Sequence, residues 1–306
     1  MSVAMRDAFG KKLAELGATH PELVVLDADV SSSTKSSYFA KNFPDRFFNI
    51  GVAEANMVDI AAGMATAGFH PVVNAFAIFL ALKGTDQIRN TLCYNDLPVI
   101  IAGAYGGLSD SFDGASHQAI TDIAIMRALP NMQVIVPCDA KQAEQALEYA
   151  LNQKGPVYIR LNRNPMPDLP AGETLGTVCS VEGSEVTIAA NGITAGYANK
   201  AAELLMHDGI KAEVLCVPMV KPLDFASVRA SVQKTGRLLC VEEHVLNGGF
   251  ASAVSEACMK NGVSCAFDAI GIEDVFAESG PYEPLLAKYG ISAEHIAARA
   301  KALCNK

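Results

Sequence analysis

Short apolar runs alternate with amphipathic stretches from one end of this 306-residue chain to the other, and that alternation constrains its fold more than any other feature. Leu23 to Leu26, Val72 to Val73, Pro98 to Ala102, Gln133 to Val136 and Val157 to Ile159 read as buried strands. Between them, Ala4 to Leu16, Glu54 to Ala67, Ala77 to Leu92, Ile120 to Leu129 and Ala140 to Leu151 carry helical spacing. Strands buried on both faces lose the apolar-polar alternation, so uninterrupted apolar runs separated by helices predict a parallel sheet covered on both sides. The rhythm breaks across Asn162 to Gly176, where Pro165, Pro167 and Pro170 fall in a stretch of little periodicity. It restarts with strands at Val186 to Ala190, Ala212 to Val217, Arg237 to Val241 and Ser264 to Ala269, and helices near Ala195 to His207, Phe225 to Lys234, Phe250 to Lys260 and Ala293 to Leu303. The expectation is an α/β chain of two doubly wound domains: residues 1–165, a linker over 166–182, and a smaller α/β domain over 183–306.

Half the residues are hydrophobic and 19% are charged, which describes a folded chain with enough length to bury two cores. A net charge of −9 argues against nucleic acid as a partner, because binding a phosphate backbone needs a basic face. No apolar run is long enough to span a bilayer, and Met1 to Lys12 lacks a signal-peptide core, so the expectation is a cytoplasmic protein that does not enter a membrane. The eight cysteines show no C-x-x-C pair or metal-finger spacing and read as buried free thiols.

Three segments carry candidate chemistry. Phe47, Phe48 and Ile50 read as a short strand, and Met57, Ile60, Ala61, Met64 and Ala65 recur at helical spacing behind Glu54. Glu54 therefore falls near a helix N-terminus in an apolar setting, where desolvation disfavours its charge and the helix dipole favours it. It is either a functional carboxyl or a first-turn glutamate complementing the dipole. Phe76 and Phe79, three apart at the end of the strand Pro71 to Ala75, form either a wall for a flat ligand or ordinary core. Gly103 to Gln118 is rich in glycine, serine and aspartate. Such a loop places polar groups beyond a strand end, where open α/β sheets bind ligands, or it simply turns the chain.

Taken in order, Arg6, Asp27-Ala28-Asp29 with Ser33, the Glu54 segment, Phe76-Ala77-Ile78-Phe79, Asp113-Gly114-Ala115-Ser116-His117-Gln118, Arg160 to Arg163, and Val241-Glu242-Glu243-His244 before Gly248-Gly249-Phe250 span nearly the whole chain. At these separations they resemble the C-terminal part of the transketolase family of thiamine-diphosphate enzymes. The resemblance implies a pyrimidine-binding domain followed by a transketolase C-terminal domain. It implies that Glu54 bonds the pyrimidine ring nitrogen of thiamine diphosphate and so promotes proton removal by the cofactor's own amino group. Phe76 and Phe79 would stack on that ring, and Asp29 would lie close to the cofactor at a subunit contact. Asp113 and His117 would face the substrate, with His117 bonding the hydroxyls or carbonyl oxygen of a ketose. Arg6, Ser33 and Arg163 match positions that hold a sugar phosphate. Arg160 resembles a substrate-side arginine of 1-deoxyxylulose-5-phosphate synthases. Two departures stand out: Leu82 occupies the place of a third aromatic, and Tyr105 that of a histidine in the substrate loop.

The family holds the diphosphate and its Mg2+ on a Gly-Asp-Gly run followed by an asparagine, and this chain contains no Gly-Asp-Gly. The expectation is half an active site with no metal ligands of its own. A separate N-terminal transketolase-like subunit would hold the diphosphate and Mg2+, in a heterotetramer of two copies of each chain with a homodimer contact through this one. The function so implied is transfer of a two-carbon ketol unit from a ketose phosphate to an aldose. Alternatives are a 1-deoxyxylulose-5-phosphate synthase-like enzyme, a 2-oxo-acid dehydrogenase β subunit, or a non-catalytic assembly subunit.

Overall fold

The computed structural model describes residues 2–170 and 175–305, so residues 171–174 of the expected linker lie outside the described residues. The strands of the first half are β1 (Val3–Ala4), β2 (Leu23–Asp27), β3 (Phe47–Asn49), β4 (His70–Phe76), β5 (Ile100–Ala104), β6 (Gln133–Ile135), β7 (Val157–Leu161) and β8 (Pro165–Met166). Those of the second are β9 (Val178–Val181), β10 (Val186–Ala190), β11 (Ala212–Cys216), β12 (Met219–Lys221), β13 (Arg237–Val245) and β14 (Ala266–Ile272).

They form a seven-stranded sheet in the order β12-β6-β7-β5-β4-β2-β3, a five-stranded sheet in the order β14-β13-β10-β11-β9, and a small β1-β8 ladder. In the larger sheet every neighbouring pair from β6 to β3 is parallel. Its outer strand β12 pairs antiparallel with β6, although its residues lie beyond the proline-rich segment. The sequence reading has no strand there, and Lys221 seals the join by donating to the Arg127 carbonyl at 3.0 Å.

The continuous apolar runs have the cause inferred for them. All five residues of β2 are buried, and with a period of two Leu23 and Val25 enter one core while Val24 and Leu26 enter the other. Both cores continue under the second sheet, Ile188 and Val214 joining the first and Ala189 and Leu215 the second. The helix expected over Ala77 to Leu92 is instead Ala77–Lys83, a turn at Thr85–Gln87, and a π-helix over Ile88–Cys93. Gly84 marks the break, and the wider π turn rotates the face that Ile88–Cys93 presents relative to a continuous α-helix.

A buried polar network joins the two sheets beneath the loop that follows β5. Arg160 on β7 donates through Nε to Asp122 at 2.8 Å, and through Nη2 to the carbonyls of Ala119 at 2.6 Å and Glu243 at 2.9 Å. Tyr158 donates to the same Asp122 carboxylate at 2.6 Å. From β13, the Glu243 carboxylate accepts from the Leu108 amide at 2.8 Å, the Tyr282 hydroxyl at 2.8 Å and Asn162 at 3.3 Å. Its neighbour Glu242 accepts from the amides of Phe250 at 2.6 Å and Ala251 at 2.9 Å, at the start of the helix Phe250–Lys260. Burial pushes Glu243 up to about 7, against the pull of Arg160, and pushes Glu242 up to about 8 against those two amides. Burial lowers His244 to about 4.

A carboxyl whose pKa is higher in the folded than in the unfolded chain stabilises fully below the unfolded value and loses that contribution as pH rises through the folded one. His244 has the opposite sign, its contribution fading as pH falls from its ordinary range. We predict that the thermal midpoint of the wild-type chain, relative to Glu243→Gln, declines as pH rises from about 5 to about 8. Parallel midpoint-against-pH curves for the two chains would remove Glu243 from this titration.

Candidate active site

Five parallel strands deliver candidate residues at one edge of the larger sheet, because parallel strands share the direction in which they end. Asp29 and Ser33 follow β2, Glu54 follows β3, Phe76 closes β4 with Phe79 on the helix just after it, Tyr105 follows β5, and Arg163 follows β7. Arg6 reaches the same edge from the helix Met5–Leu16. Asp27, buried at the end of β2, shapes the turn beyond it by accepting from the Val30 amide at 2.6 Å and the hydroxyls of Thr34 at 2.9 Å and Ser36 at 2.8 Å. Desolvation raises its pKa against those donors. Asp29 sits in the left-handed region with φ 65° and accepts from Asn49 at 2.8 Å. Asn49 in turn accepts from the Gly51 amide at 3.0 Å, which ties the Asp29 turn to the approach to Glu54.

Glu54 is the first residue of the helix Glu54–Thr66 and is 4% exposed. Its carboxylate is paired with Lys83, whose Nζ lies 3.2 Å from Oε1 and 3.4 Å from Oε2. The same ammonium stands 4.2 Å from the centroid of the Phe79 ring. Lys83 is absent from the sequence reading, yet its signal was available: Phe79 and Lys83 are four apart on one helix and must share a face.

From Phe79 the contacts run on without a break. The His117 ring meets Phe79 edge-on at 5.1 Å, and Phe76 stacks with Phe79 at 5.9 Å and with Tyr105 at 4.4 Å. Ser116 Oγ lies 2.9 Å from His117 Nδ1. Tyr105 has φ 62°, a conformation costly for a bulky residue, and its neighbours hold it there. The guanidinium carbons of Arg6 and Arg163 lie 5.0 Å and 4.6 Å from its ring centroid, within cation-π range. Arg6 also donates to the Tyr105 hydroxyl and, at 2.9 Å, to the Ser33 carbonyl, so Ser33 joins the group through its backbone. Arg163 donates to Asp110 at 2.8 Å, a buried carboxylate whose pKa is raised by desolvation and by Asp113, against Arg163 and His117. Asp113 is exposed on the same loop.

One expected residue is not brought to this group. Arg160 is 4% exposed, and its guanidinium is engaged by Asp122, Ala119 and Glu243 in the network below the loop. It supports the loop from behind, and its distance in sequence from Asp122 hides this from any local reading. Leu82 is 59% exposed, leaving the wall formed by Phe76 and Phe79 without a third ring from that position.

A buried carboxylate beside aromatic faces fits an aminopyrimidine ring, which offers a ring nitrogen to the one and a flat surface to the other. Among the described residues, one group of three possible metal ligands, Cys179, Glu182 and Glu213, lies in the second half of the chain. Lys234 already pairs with both of its carboxylates.

Comparison with known proteins agrees with this fold. The family model of the transketolase pyrimidine-binding domain matches residues 1–168, and that of the transketolase C-terminal domain matches residues 177–296. The chain belongs to the transketolase family. A Methanocaldococcus jannaschii protein described as a transketolase C-terminal section is 40% identical over 301 residues, covering 96% of this chain and 94% of that one. A 6-deoxy-6-sulfo-D-fructose transketolase subunit from a Clostridium species is 36% identical, covering 95% and 92%. The 1-deoxy-D-xylulose-5-phosphate synthase of Symbiobacterium thermophilum is also 36% identical across 99% of this chain, which spans 47% of that longer protein. Among solved structures, one described as a split gene transketolase, an inactive β4 tetramer, superimposes with a TM-score of 0.91 at 40% identity over all of this chain and 99% of that one. Among the described residues of this transketolase-family chain, no helix is long and apolar enough to cross a membrane.

Replacing Phe76 by leucine keeps an apolar side chain but removes ring stacking, each such pair being worth about 0.5–1.5 kcal/mol beyond its buried area. We predict a lower urea midpoint for Phe76→Leu with an unchanged far-ultraviolet circular dichroism spectrum. An unchanged midpoint would mean that the Phe76–Tyr105 stack does not hold the loop.

Proposed function

We propose that this chain is the C-terminal subunit of a split, thiamine-diphosphate-dependent transketolase that moves a two-carbon ketol unit from a ketose phosphate to an aldose acceptor. One observation carries the reading: the unbroken contacts from Glu54 through Lys83 and Phe79 to His117, and on through Phe76 and Tyr105 to Arg6 and Arg163. Bound thiamine diphosphate supplies the nucleophilic carbon of this chemistry. Glu54, with Lys83 beside it, would hold the pyrimidine ring of that cofactor. Phe79 and Phe76 keep water from one side of the site. His117, held by Ser116, bonds an oxygen of the sugar, and Asp113 lies beside it on the same loop. Arg6, Ser33 and Arg163 hold the phosphate end, while Asp29 lies near the cofactor at the subunit contact.

The diphosphate and Mg2+ belong, in this reading, to a separate N-terminal transketolase-like chain, with two copies of each assembled in the cytoplasm around a homodimer contact through this one. Support comes from the similar length of the Methanocaldococcus section and the Clostridium subunit, both matched over more than nine-tenths of their length. The description of the 40% identical β4 tetramer as inactive agrees with a section that needs another chain. A 1-deoxyxylulose-5-phosphate synthase-like reaction is the competing reading, supported by 36% identity to the Symbiobacterium enzyme.

The test mixes this chain with the product of a neighbouring gene that carries a Gly-Asp-Gly segment, adds thiamine diphosphate and Mg2+, and measures ketol transfer from a ketose phosphate. Transfer by the mixture and not by either chain alone is expected. Carbon dioxide release from pyruvate without ketol transfer would replace this reading with the synthase-like one, and full activity from this chain alone would refute the shared site.

A further inference from the structure

The anion-binding end of the proposed site contains a carboxylate that its chemistry does not call for. Asp110 is 1% exposed and its Oδ1 accepts from Arg163 Nη1 at 2.8 Å, while its Oδ2 and the neighbouring buried Ser109 hydroxyl have no hydrogen-bond partner. A buried aspartate with one idle oxygen is costly. The two guanidiniums over Tyr105 are otherwise committed only in part. Arg6 gives Nη1 to Ser33 and Tyr105, and its Nε stands 3.8 Å from Asp7, itself 3.7 Å from Lys35. The Lys35 charge offsets that of Asp7, Asp110 offsets one of the two arginines, and exposed Asp113 adds a further negative charge near Asp110. Arg163 remains 35% exposed, so it meets a ligand with its charge already shared.

We propose that Asp110 is a specificity-determining residue that makes this pocket one charge less positive than its arginines alone would, and so shifts its selectivity away from a phosphate dianion and toward a sugar ending in a singly charged group. The inference rests on the ketol-transfer reading for its substrate class, since it concerns the terminal group of the sugar that reading places there. A phosphate monoester carries about −1.5 to −2 at neutral pH, whereas a sulfonate of the same shape carries a single charge. Two unshared guanidiniums would favour the former, by the bidentate pairing that suits phosphate oxygens. With Asp110 in place, binding the dianion brings a second negative charge close to a buried carboxylate, where repulsion is screened less than at the open surface. Burial and Asp113 both raise the Asp110 pKa, which agrees with a carboxyl under electrostatic load.

The test compares wild type with Asp110→Asn, which keeps the shape and one oxygen toward Arg163 but removes the charge. Ribose 5-phosphate and its 5-sulfonate analogue are titrated calorimetrically into the full chain, alone and with the N-terminal partner, and the same pair serves as acceptors in the transfer assay. The expected result is a phosphate-to-sulfonate selectivity ratio that shifts toward the phosphate by about tenfold or more in Asp110→Asn. An unchanged phosphate-to-sulfonate ratio, a shift the other way, or binding of neither ligand overturns the proposal. Asp110→Ser serves the same comparison should the asparagine variant fail to fold. Failure of ketol transfer with intact, charge-selective binding would instead refute the reaction and leave the pocket's charge preference standing.

Discussion

The buried pair of Arg160 and Asp122 is the interaction on which the functional edge of this chain depends. It joins the last parallel strand before the proline-rich segment to the first turn of the helix Asp122–Ala128, and through the Glu243 carbonyl it reaches the second sheet. Breaking such a pair leaves an uncompensated charge in the interior, a cost of about 3–5 kcal/mol. The Glu243 carboxylate completes the arrangement by gripping the Leu108 amide from below. The loop carrying Tyr105, Asp110, Asp113 and His117 is therefore anchored by groups from both halves of the molecule. Glu243, far along the chain from the aromatic and carboxylate group, thus helps fix the loop on which part of that group stands.

Above this anchor, the chemistry follows from strand direction and ring contacts. Parallel strands end together, so residues scattered from Asp29 to Arg163 share one edge without needing to be near in sequence. Phe76, Phe79, Tyr105 and His117 then pack ring against ring and separate two charged ends. At one end Glu54 meets Lys83, and at the other Arg6 and Arg163 meet Tyr105 and Asp110. Each end is a charge pair set against an aromatic face. The carboxylate end suits a heteroaromatic ring, and the guanidinium end an anion.

Sequence made the regular parts legible where burial follows a single period. Ala140–Leu151, Val186–Ala190 and Phe250–Lys260 begin and end as their patterns indicate. Strand β4, legible as the apolar Val72 to Val73 and from Pro71 to Ala75 before the phenylalanine pair, runs one residue further at each end, from His70 to Phe76; Asn74 within it is accommodated by donating to the carbonyls of Leu26 and Val72. Strand β12 was not legible, since three residues before a proline become a strand only through pairing with β6, more than eighty positions earlier. Around the site, the position of Glu54 at a helix start could be read locally. The union of Asp110 with Arg163 and the retreat of Arg160 into the interior could not, because both depend on partners brought close only by the folded sheet.

The claim at the centre of this account is that Glu54 acts on the pyrimidine ring of a cofactor whose diphosphate is held by another chain. Proton-deuterium exchange at C2 of the thiazolium ring, monitored by quenched-flow and NMR on the reconstituted complex without substrate, reports that action directly. The account predicts rapid exchange with the wild-type chain and a fall of about a hundredfold or more with Glu54→Gln, at equal cofactor occupancy. Equal exchange rates in the two complexes would contradict it.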